Sequence, residues 1–256
     1  MQTVTVNGRK LEYVRLPSAH PKTNAPAMVF LHEGLGSITM WRDFPQRLAD
    51  ATGCEAIVYS RYGYGRSEAL EGPRDPRYMH DEGLQALPEF LDKLAIEQPF
   101  LFGHSDGGSI ALIYAGGTPR PVSGLIVMAP HLMVEEITIA GIVEAKTAYQ
   151  SSELSKRLGR YHDHVDKVFW GWNDIWLHPD FRNWNIEEYV PPITAPILAI
   201  QGEDDEYASM EQIDRIARLG KDVDLVKLAD CRHSPHKDQQ EAVIAAVAEF
   251  VGRILD

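Results

Sequence analysis

Residue types that together can carry out nucleophilic catalysis occur in order along this sequence. A serine, Ser105, lies between two glycines in the stretch GHSDGG (103–108), and an acidic segment, GEDDEY (202–207), and a histidine segment, CRHSPH (231–236), follow it. A serine hydroxyl is a weak nucleophile that needs a base within hydrogen-bond reach, and a carboxylate can orient a histidine base. The order serine, acid, histidine therefore suggests acyl transfer.

The surroundings of Ser105 distinguish a nucleophile from a simple helix cap. Serine is common at helix N-termini, but a cap does not require glycine on both sides. Here the apolar run FLFGH (100–104) predicts a strand, and GGSIALIYAGG predicts the helix after it. A side chain at Gly103 or Gly107 would collide with a neighbouring strand or helix in so tight a turn. We therefore predict that Ser105 exposes its hydroxyl at a strand–turn–helix junction.

The elements that would position these residues alternate between strands and helices. Asn7-Gly8 accepts the backbone angles of a tight turn, and it separates two strands of a predicted hairpin. Further strands are predicted at 27–32, 55–60, 100–104, 124–130, 195–202 and 223–229, with helices at about 40–51, 81–96, 107–117, 209–219 and 238–255. Continuous apolar strands alternating with helices predict an α/β fold, with a mostly parallel eight-stranded sheet covered on both faces.

The alternation breaks once, between about residues 131 and 190. This stretch lacks a buried strand and contains four of the five tryptophans. Sixty residues exceed a simple crossover, so we interpret them as a helical lid inserted into a single domain of residues 1–256. The domain core would then comprise residues 1–130 and 191–256.

Composition excludes several function classes. The net charge of −12, with no basic stripe, argues against nucleic-acid binding. The two cysteines, Cys54 and Cys231, form no disulfide framework or zinc site, and free cysteine is usually buried. We find no secretory signal pattern and no membrane-spanning stretch, so we expect a cytoplasmic protein.

These motifs together resemble the α/β-hydrolase fold family over essentially the whole chain. HEGLGS (32–37) resembles its oxyanion loop, SRYGYGRS (60–67) a turn after the fourth strand, and GHSDG its nucleophile elbow. GEDDEY resembles the acid turn, and CRHSPH the histidine loop. Lidded serine hydrolases similar to valacyclovir hydrolase and bacterial enol-lactonases look closest within the family.

The resemblance assigns roles residue by residue. The family pattern G-x-x-D selects Asp205 over Asp204, and the usual position of the base selects His233 over His236. The catalytic residues are then Ser105, Asp205 and His233. Backbone N–H groups of Gly34 and Asp106 are implied as the oxyanion hole.

Two carboxylates near the predicted oxyanion hole leave alternatives open. Glu33 stands where the family commonly has glycine, and its side chain either braces the loop or enters the site. The Asp106 carboxylate is either neutralised by a partner such as an arginine or recognises a cationic group on the substrate, because an isolated anion there opposes oxyanion formation.

Aromatic residues of the predicted lid are candidates for substrate contacts, because binding pockets are mainly apolar and aromatic. The candidates are Trp170, Trp172 and Trp176, alongside Glu33 and Asp106. His162 and His164 are two residues apart and would point in different directions on a helix, so we predict no metal site there. His104 is expected to be structural, beneath the elbow.

The sequence thus predicts a serine hydrolase that cleaves an ester, thioester or lactone of a small molecule, without cofactor or metal. The sequence leaves open whether the chain forms a homo-oligomer. Alternative functions are hydrolysis of a carbon–carbon bond in diketone-type substrates, cofactor-free perhydrolase or haloperoxidase activity, and ligand sensing on a hydrolase scaffold.

Overall fold

Eight strands form one sheet in the computed structural model, which describes residues 1–151 and 153–255. The strands lie in the order β1-β2-β4-β3-β5-β6-β7-β8. The pairs β1–β2 and β2–β4 are antiparallel, and the other pairs are parallel. The strands are β1 Gln2–Val6, β2 Arg9–Leu16, β3 Met28–Leu31, β4 Ala56–Tyr59, β5 Phe100–His104, β6 Gly124–Met128, β7 Ile197–Gly202 and β8 Val223–Leu228.

Helices cover both faces of this sheet. They are α1 Phe44–Thr52, α2 Tyr78–Asp81, α3 Leu87–Lys93, α4 Asp106–Gly117, α5 Glu136–Ser151, α6 Leu154–Leu158, α7 Val165–Trp176, α8 Glu211–Leu219, α9 Pro235–Asp238 and α10 Gln240–Leu255. Short 3₁₀ helices occupy Ile38–Trp41, Pro179–Phe181 and Glu187–Tyr189, and one π-helical stretch occupies Glu82–Ala86. None of these helices is long and apolar enough to cross a membrane.

Alternate residues of the buried strands contribute to two separate hydrophobic clusters. Val29 and Leu101 belong to one cluster, and Phe30 and Phe102 belong to the other. Because successive side chains of a strand point to opposite faces, the two clusters are the two faces of the sheet. The predicted α/β architecture is thereby confirmed.

Most predicted elements are present with shifted ends. The helix predicted at 81–96 spans 78–93 and contains the π-helical stretch directly before Leu87 and Pro88, where proline lacks the N–H that a regular helical turn would use. It ends before Ala95, which has a φ of 54°. The predicted closing helix at 238–255 is present as α10, which begins at Gln240, and the short helix α9 precedes it.

The stretch 131–190, hereafter the insertion, connects β6 to β7. It contains α5, α6, α7 and two of the 3₁₀ helices. The interpretation of this helical segment as a lid stays a prediction.

Candidate active site

Ser105 occupies a strained turn between β5 and α4. Its φ of 54° and ψ of −119° place a non-glycine residue in a sparsely populated region. A Cβ added to Gly103 would overlap the carbonyl oxygen of Gly107, and one added to Gly107 would overlap that of Leu31 in β3. The glycines therefore permit the close approach that the sequence predicted for this turn.

Side chains from three separate loops meet at Ser105. His233 Nε2 lies 3.0 Å from Ser105 Oγ, and His233 Nδ1 lies 2.8 and 2.9 Å from the two carboxylate oxygens of Asp205. The backbone N–H of Tyr207 also donates to Asp205 Oδ1 at 2.8 Å. Asp205 follows β7 and His233 follows β8, so the carboxyl ends of the parallel strands bring together the three predicted residues.

Asp204 and His236, the alternatives to Asp205 and His233, lie outside the hydrogen-bonded group at Ser105. Asp204 is exposed to solvent. His236 is buried, and its ring packs against Trp41 and Phe44 with ring centroids 5.0 and 5.5 Å away. Neither residue takes part in the hydrogen-bond chain from Ser105 to Asp205.

Charge coupling between His233 and Asp205 favours a protonated Nδ1. Burial by itself lowers the pKa of His233, but the adjacent Asp205 carboxylate reverses this and holds the pKa above its ordinary value. Burial by itself raises the pKa of Asp205, but the His233 ring and the hydrogen bond from the Tyr207 N–H together lower it below its ordinary value. With Nδ1 donating to Asp205, the neutral ring presents Nε2 as an acceptor to the Ser105 hydroxyl.

The backbone of His233 is held on both sides. Its carbonyl oxygen lies 2.8 Å from His104 Nε2, which donates to it, and its N–H donates to Glu206 Oε2 at 3.1 Å. His104 is buried at the end of β5, next to the elbow, in agreement with its predicted structural position. These contacts fix the loop that carries the imidazole.

A buried arginine organises the loop after β3. Arg61 donates through one guanidinium nitrogen to the carbonyl oxygens of His32 (3.2 Å) and Glu33 (3.1 Å), and its backbone N–H donates to His32 Nε2 (3.0 Å). Gly34 follows directly and lines the same cavity as Ser105. Asp106 is the first residue of α4, where backbone N–H groups have no intrahelical acceptor.

The Asp106 side chain has a partner inside the protein. Its carboxylate is fully buried, accepts a hydrogen bond from the Tyr78 hydroxyl at 2.8 Å and lies 3.7 Å from Arg61. Of the two interpretations left open by the sequence, this geometry corresponds to neutralisation by an arginine. Both contacts are made by Oδ2, and the residue also lines the cavity.

The Glu33 side chain both braces its loop and borders the cavity, the two positions that the sequence left open. Its carboxylate lies 3.5 Å from His104 Nδ1 and 3.8 Å from Lys237 Nζ, and the residue also lines the cavity. Burial tends to raise the pKa of Glu33, but His104 and Lys237 hold it well below its ordinary value. The loop is thus braced by a charged carboxylate that borders the site.

The cavity above Ser105 has a volume of about 170 Å³. Its apolar walls come from Leu35 and from Ile142, Trp172 and Trp176 of the insertion. Trp172 and Trp176 are four residues apart and share one face of α7, whereas Trp170 is two residues from Trp172 and faces away. Of the three predicted tryptophans, Trp170 therefore does not line this cavity; it borders a separate groove with Leu70 and Lys167.

Sequence reasoning missed His131, which follows β6 and lines the cavity. Burial, followed by the nearby His233, lowers the pKa of His131 to about 3, so its ring is neutral at physiological pH. Its ring lies edge-to-face against Trp176, with centroids 4.9 Å apart. Nothing in its local sequence distinguishes it, because its position depends on how the insertion leaves the sheet.

His162 has a structural position. Its Nδ1 accepts from the Gly65 N–H and its Nε2 donates to the Leu35 carbonyl, both at 2.9 Å. His164 immediately precedes α7. Both ring nitrogens of His162 are engaged by backbone groups, and the ring ties the insertion to the loop that contains Gly34.

Comparisons with known proteins agree with this architecture. The model of the alpha/beta hydrolase family matches residues 28–246. A sn-1-specific diacylglycerol lipase from Danio rerio is 23% identical, over 90% of this chain and 80% of the lipase. A proline iminopeptidase from Saccharolobus solfataricus is also 23% identical, over 89% of this chain and 85% of the peptidase.

Solved structures show the same fold. A proline iminopeptidase from Mycobacterium smegmatis superposes with a TM-score of 0.81 at 19% identity, covering 99% of this chain and 98% of that one. The enol-lactonase from Burkholderia xenovorans gives a TM-score of 0.77 at 21% identity, covering 98% of this chain and all of the lactonase (100%).

Proposed function

We propose that this chain, which belongs to the alpha/beta hydrolase family, is a serine hydrolase that cleaves a carboxylic ester, thioester or lactone of a small molecule. The observation that carries the proposal is the unbroken hydrogen-bond chain from Ser105 through His233 to Asp205 at the edge of a cavity. In that arrangement the serine has its base within reach, and the base has its orienting carboxylate.

The first half of the proposed reaction forms an acyl-enzyme. His233 Nε2 takes the proton of the Ser105 hydroxyl as the oxygen attacks the substrate carbonyl. The backbone N–H groups of Gly34 and Asp106 donate to the oxyanion that develops. Asp205 stabilises the imidazolium, and His233 then returns the proton to the leaving alcohol, thiol or enol oxygen.

The second half hydrolyses the acyl-enzyme. His233, neutral again after the leaving group departs, accepts a proton from a water molecule that attacks the acyl carbonyl. The collapse of the second tetrahedral intermediate returns the proton to Ser105 and releases the carboxylic acid. The raised pKa of His233 strengthens it as a base but requires a pH at which the ring is still neutral.

The size of the cavity favours small acyl groups. An engineered apolar cavity of about 150 Å³ in another protein holds one benzene molecule, and the present cavity is about 170 Å³. Walls from Ile142, Trp172 and Trp176 suit an apolar group of this size. The relatives matched by sequence are named as a lipase and an iminopeptidase, which supports hydrolysis as the reaction class.

The proposal is tested with p-nitrophenyl esters of graded acyl length, on the native chain and on Ser105→Ala. We expect turnover by the native chain, strongest for short acyl groups, and a loss of roughly 10⁴-fold or more in kcat for the variant. Circular dichroism checks that Ser105→Ala is folded.

Each contrary result identifies a different alternative. Equal turnover by both proteins would exclude Ser105 as the nucleophile. No ester turnover, with cleavage of a diketone-type substrate, would identify a carbon–carbon hydrolase, and peroxide-dependent halogenation would identify a perhydrolase. Binding of a small ester without turnover would indicate ligand sensing.

A further inference from the structure

We propose that the indole N–H of Trp172, carried by the insertion, is a third hydrogen-bond donor to the oxyanion, beside the backbone N–H groups of Gly34 and Asp106. The inference rests on the proposed function, since it concerns acyl transfer at Ser105. It would make one aromatic residue of the insertion part of the reaction itself, and not only a wall of the cavity.

The first observation is the contact between Trp172 and Gly34. A Cβ added to Gly34 would overlap Cδ1 and Nε1 of the Trp172 indole. The nitrogen-bearing edge of the ring therefore faces the residue whose backbone N–H is proposed to bind the oxyanion. Glycine at position 34 allows this approach, since any side chain there would displace the indole.

The second observation is that Trp172 lines the cavity while its indole N–H has no acceptor within the described residues. The indole nitrogens of Trp41, Trp176 and Trp184 are fully buried and have no hydrogen-bond partner. Trp172 Nε1 is not among the fully buried, unpaired atoms. Trp172 lines the cavity, and within residues 1–151 and 153–255 no acceptor is found for its indole N–H. A donor left unpaired in a mostly apolar cavity is satisfied by what enters the cavity.

The third observation is that the donor is held in place. His162 bonds the insertion to the Leu35 carbonyl at 2.9 Å, directly beside Gly34. The Trp172 ring packs edge-to-face on Phe169, which stacks on Tyr149 with centroids 3.7 Å apart. Donors fixed before the reaction stabilise a developing charge without the cost of reorientation.

The local charges give a reason for an additional donor. Glu33 borders the cavity as a charged carboxylate, and a nearby negative charge opposes the formation of an oxyanion. Lys237 Nζ lies 3.8 Å and His104 Nδ1 lies 3.5 Å from this carboxylate. An indole N–H next to Gly34 would add a positive partial charge on the side of the site where the carbonyl oxygen binds.

The test compares Trp172→Phe with Trp184→Phe. Both tryptophans belong to the insertion and are 7% exposed, and Phe removes the indole N–H in each case, but Trp184 does not line the cavity. We expect Trp172→Phe to lower kcat by roughly 10- to 100-fold with little change in KM, below the loss for a main oxyanion donor. Labelling of Ser105 by a fluorophosphonate should slow by a similar factor, and Trp184→Phe should change neither rate.

Two results would overturn the inference. If Trp172→Phe and Trp184→Phe behave alike, or if Trp172→Phe raises KM without lowering kcat, the indole contributes packing or ground-state binding only. Failure of the proposed function would give a different result, because the native chain would then neither hydrolyse esters nor be labelled at Ser105. In that case the inference about Trp172 would also be wrong.

Discussion

The carboxyl edge of the sheet and the helical insertion contribute to the cavity in different ways. The edge supplies Ser105, Asp205 and His233, which are joined by hydrogen bonds of 2.8 to 3.0 Å. The insertion supplies Ile142, Trp172 and Trp176, which contact the cavity mainly through apolar surface. We propose that the sheet edge carries the proton-transfer residues, while the insertion shapes the cavity and adds one donor through Trp172.

The largest expected effect tests the sheet edge. Asp205→Asn should lower kcat by roughly 10⁴-fold, because Asn cannot stabilise the imidazolium and favours the wrong tautomer. The pH profile of kcat/KM measures the charge coupling between the Asp205 carboxylate and the His233 ring. Because the base must be neutral, native activity should fall as pH drops through the His233 pKa, which Asp205 holds above its ordinary value. In Asp205→Asn the residual activity should persist to lower pH.

The matched control for this variant is Asp204→Asn, which changes the adjacent exposed carboxylate. It should retain the native rate and the native pH profile. An equal loss in both variants would mean that the acid segment as a whole, and not Asp205, supports catalysis.

The second prediction tests how the sheet edge is held together. Arg61→Met should destabilise the protein by about 3–5 kcal/mol, because it leaves the Asp106 carboxylate buried without its cation and removes donors from two carbonyl oxygens. Urea denaturation measures the change in the free energy of unfolding. Adding Asp106→Asn should recover part of the loss.

Arg120→Met provides the comparison for Arg61→Met. Arg120 pairs with Asp92 at 2.5 Å on the surface, where both side chains are more than a third exposed. Exposed ion pairs contribute about 0–1 kcal/mol, so this variant should be close to native stability. A cost for Arg61→Met no greater than that for Arg120→Met would show that the buried network does not support the edge.

The smallest expected effect tests the insertion. Ile142→Ala should enlarge the cavity and raise the kcat/KM ratio for hexanoate over acetate p-nitrophenyl esters by about tenfold, since one methylene in a pocket is worth about 1–3 kcal/mol. The adjacent Val143 is 48% exposed, so Val143→Ala should leave the ratio unchanged. An unchanged ratio in Ile142→Ala would place the acyl group away from the insertion.

Motifs at strand ends made much of the candidate site predictable. Gly103 and Gly107 indicated the elbow before any contact was known, and the structure shows the carbonyl groups that a side chain would strike. The positions of the serine, acid and histidine segments after parallel strands predicted that they meet, because parallel strands place their carboxyl ends at one edge. The family resemblance then selected Asp205 and His233 within those segments. These inferences succeed because each rests on a short segment next to a buried strand.

Other features depended on contacts between distant segments. Helical spacing separates Trp170 from Trp172 and Trp176, but it does not say which face packs towards Gly34. The Tyr78 hydroxyl reaches Asp106 from a different helix, and no local pattern marked it. His131 is likewise indistinguishable from a surface histidine until the path of the insertion is known.

The sequence by itself determined the α/β architecture and the strained elbow at Ser105, because local sterics and strand order govern them. The resemblance to a known family pointed to Asp205 and His233 within their segments. Only the tertiary structure decided that Arg61 and Tyr78 engage Asp106, that Glu33 braces the loop after β3, and that Trp172 lines the cavity. The physical reason is that side-chain partners across long sequence separations are selected by packing, which a linear pattern does not encode.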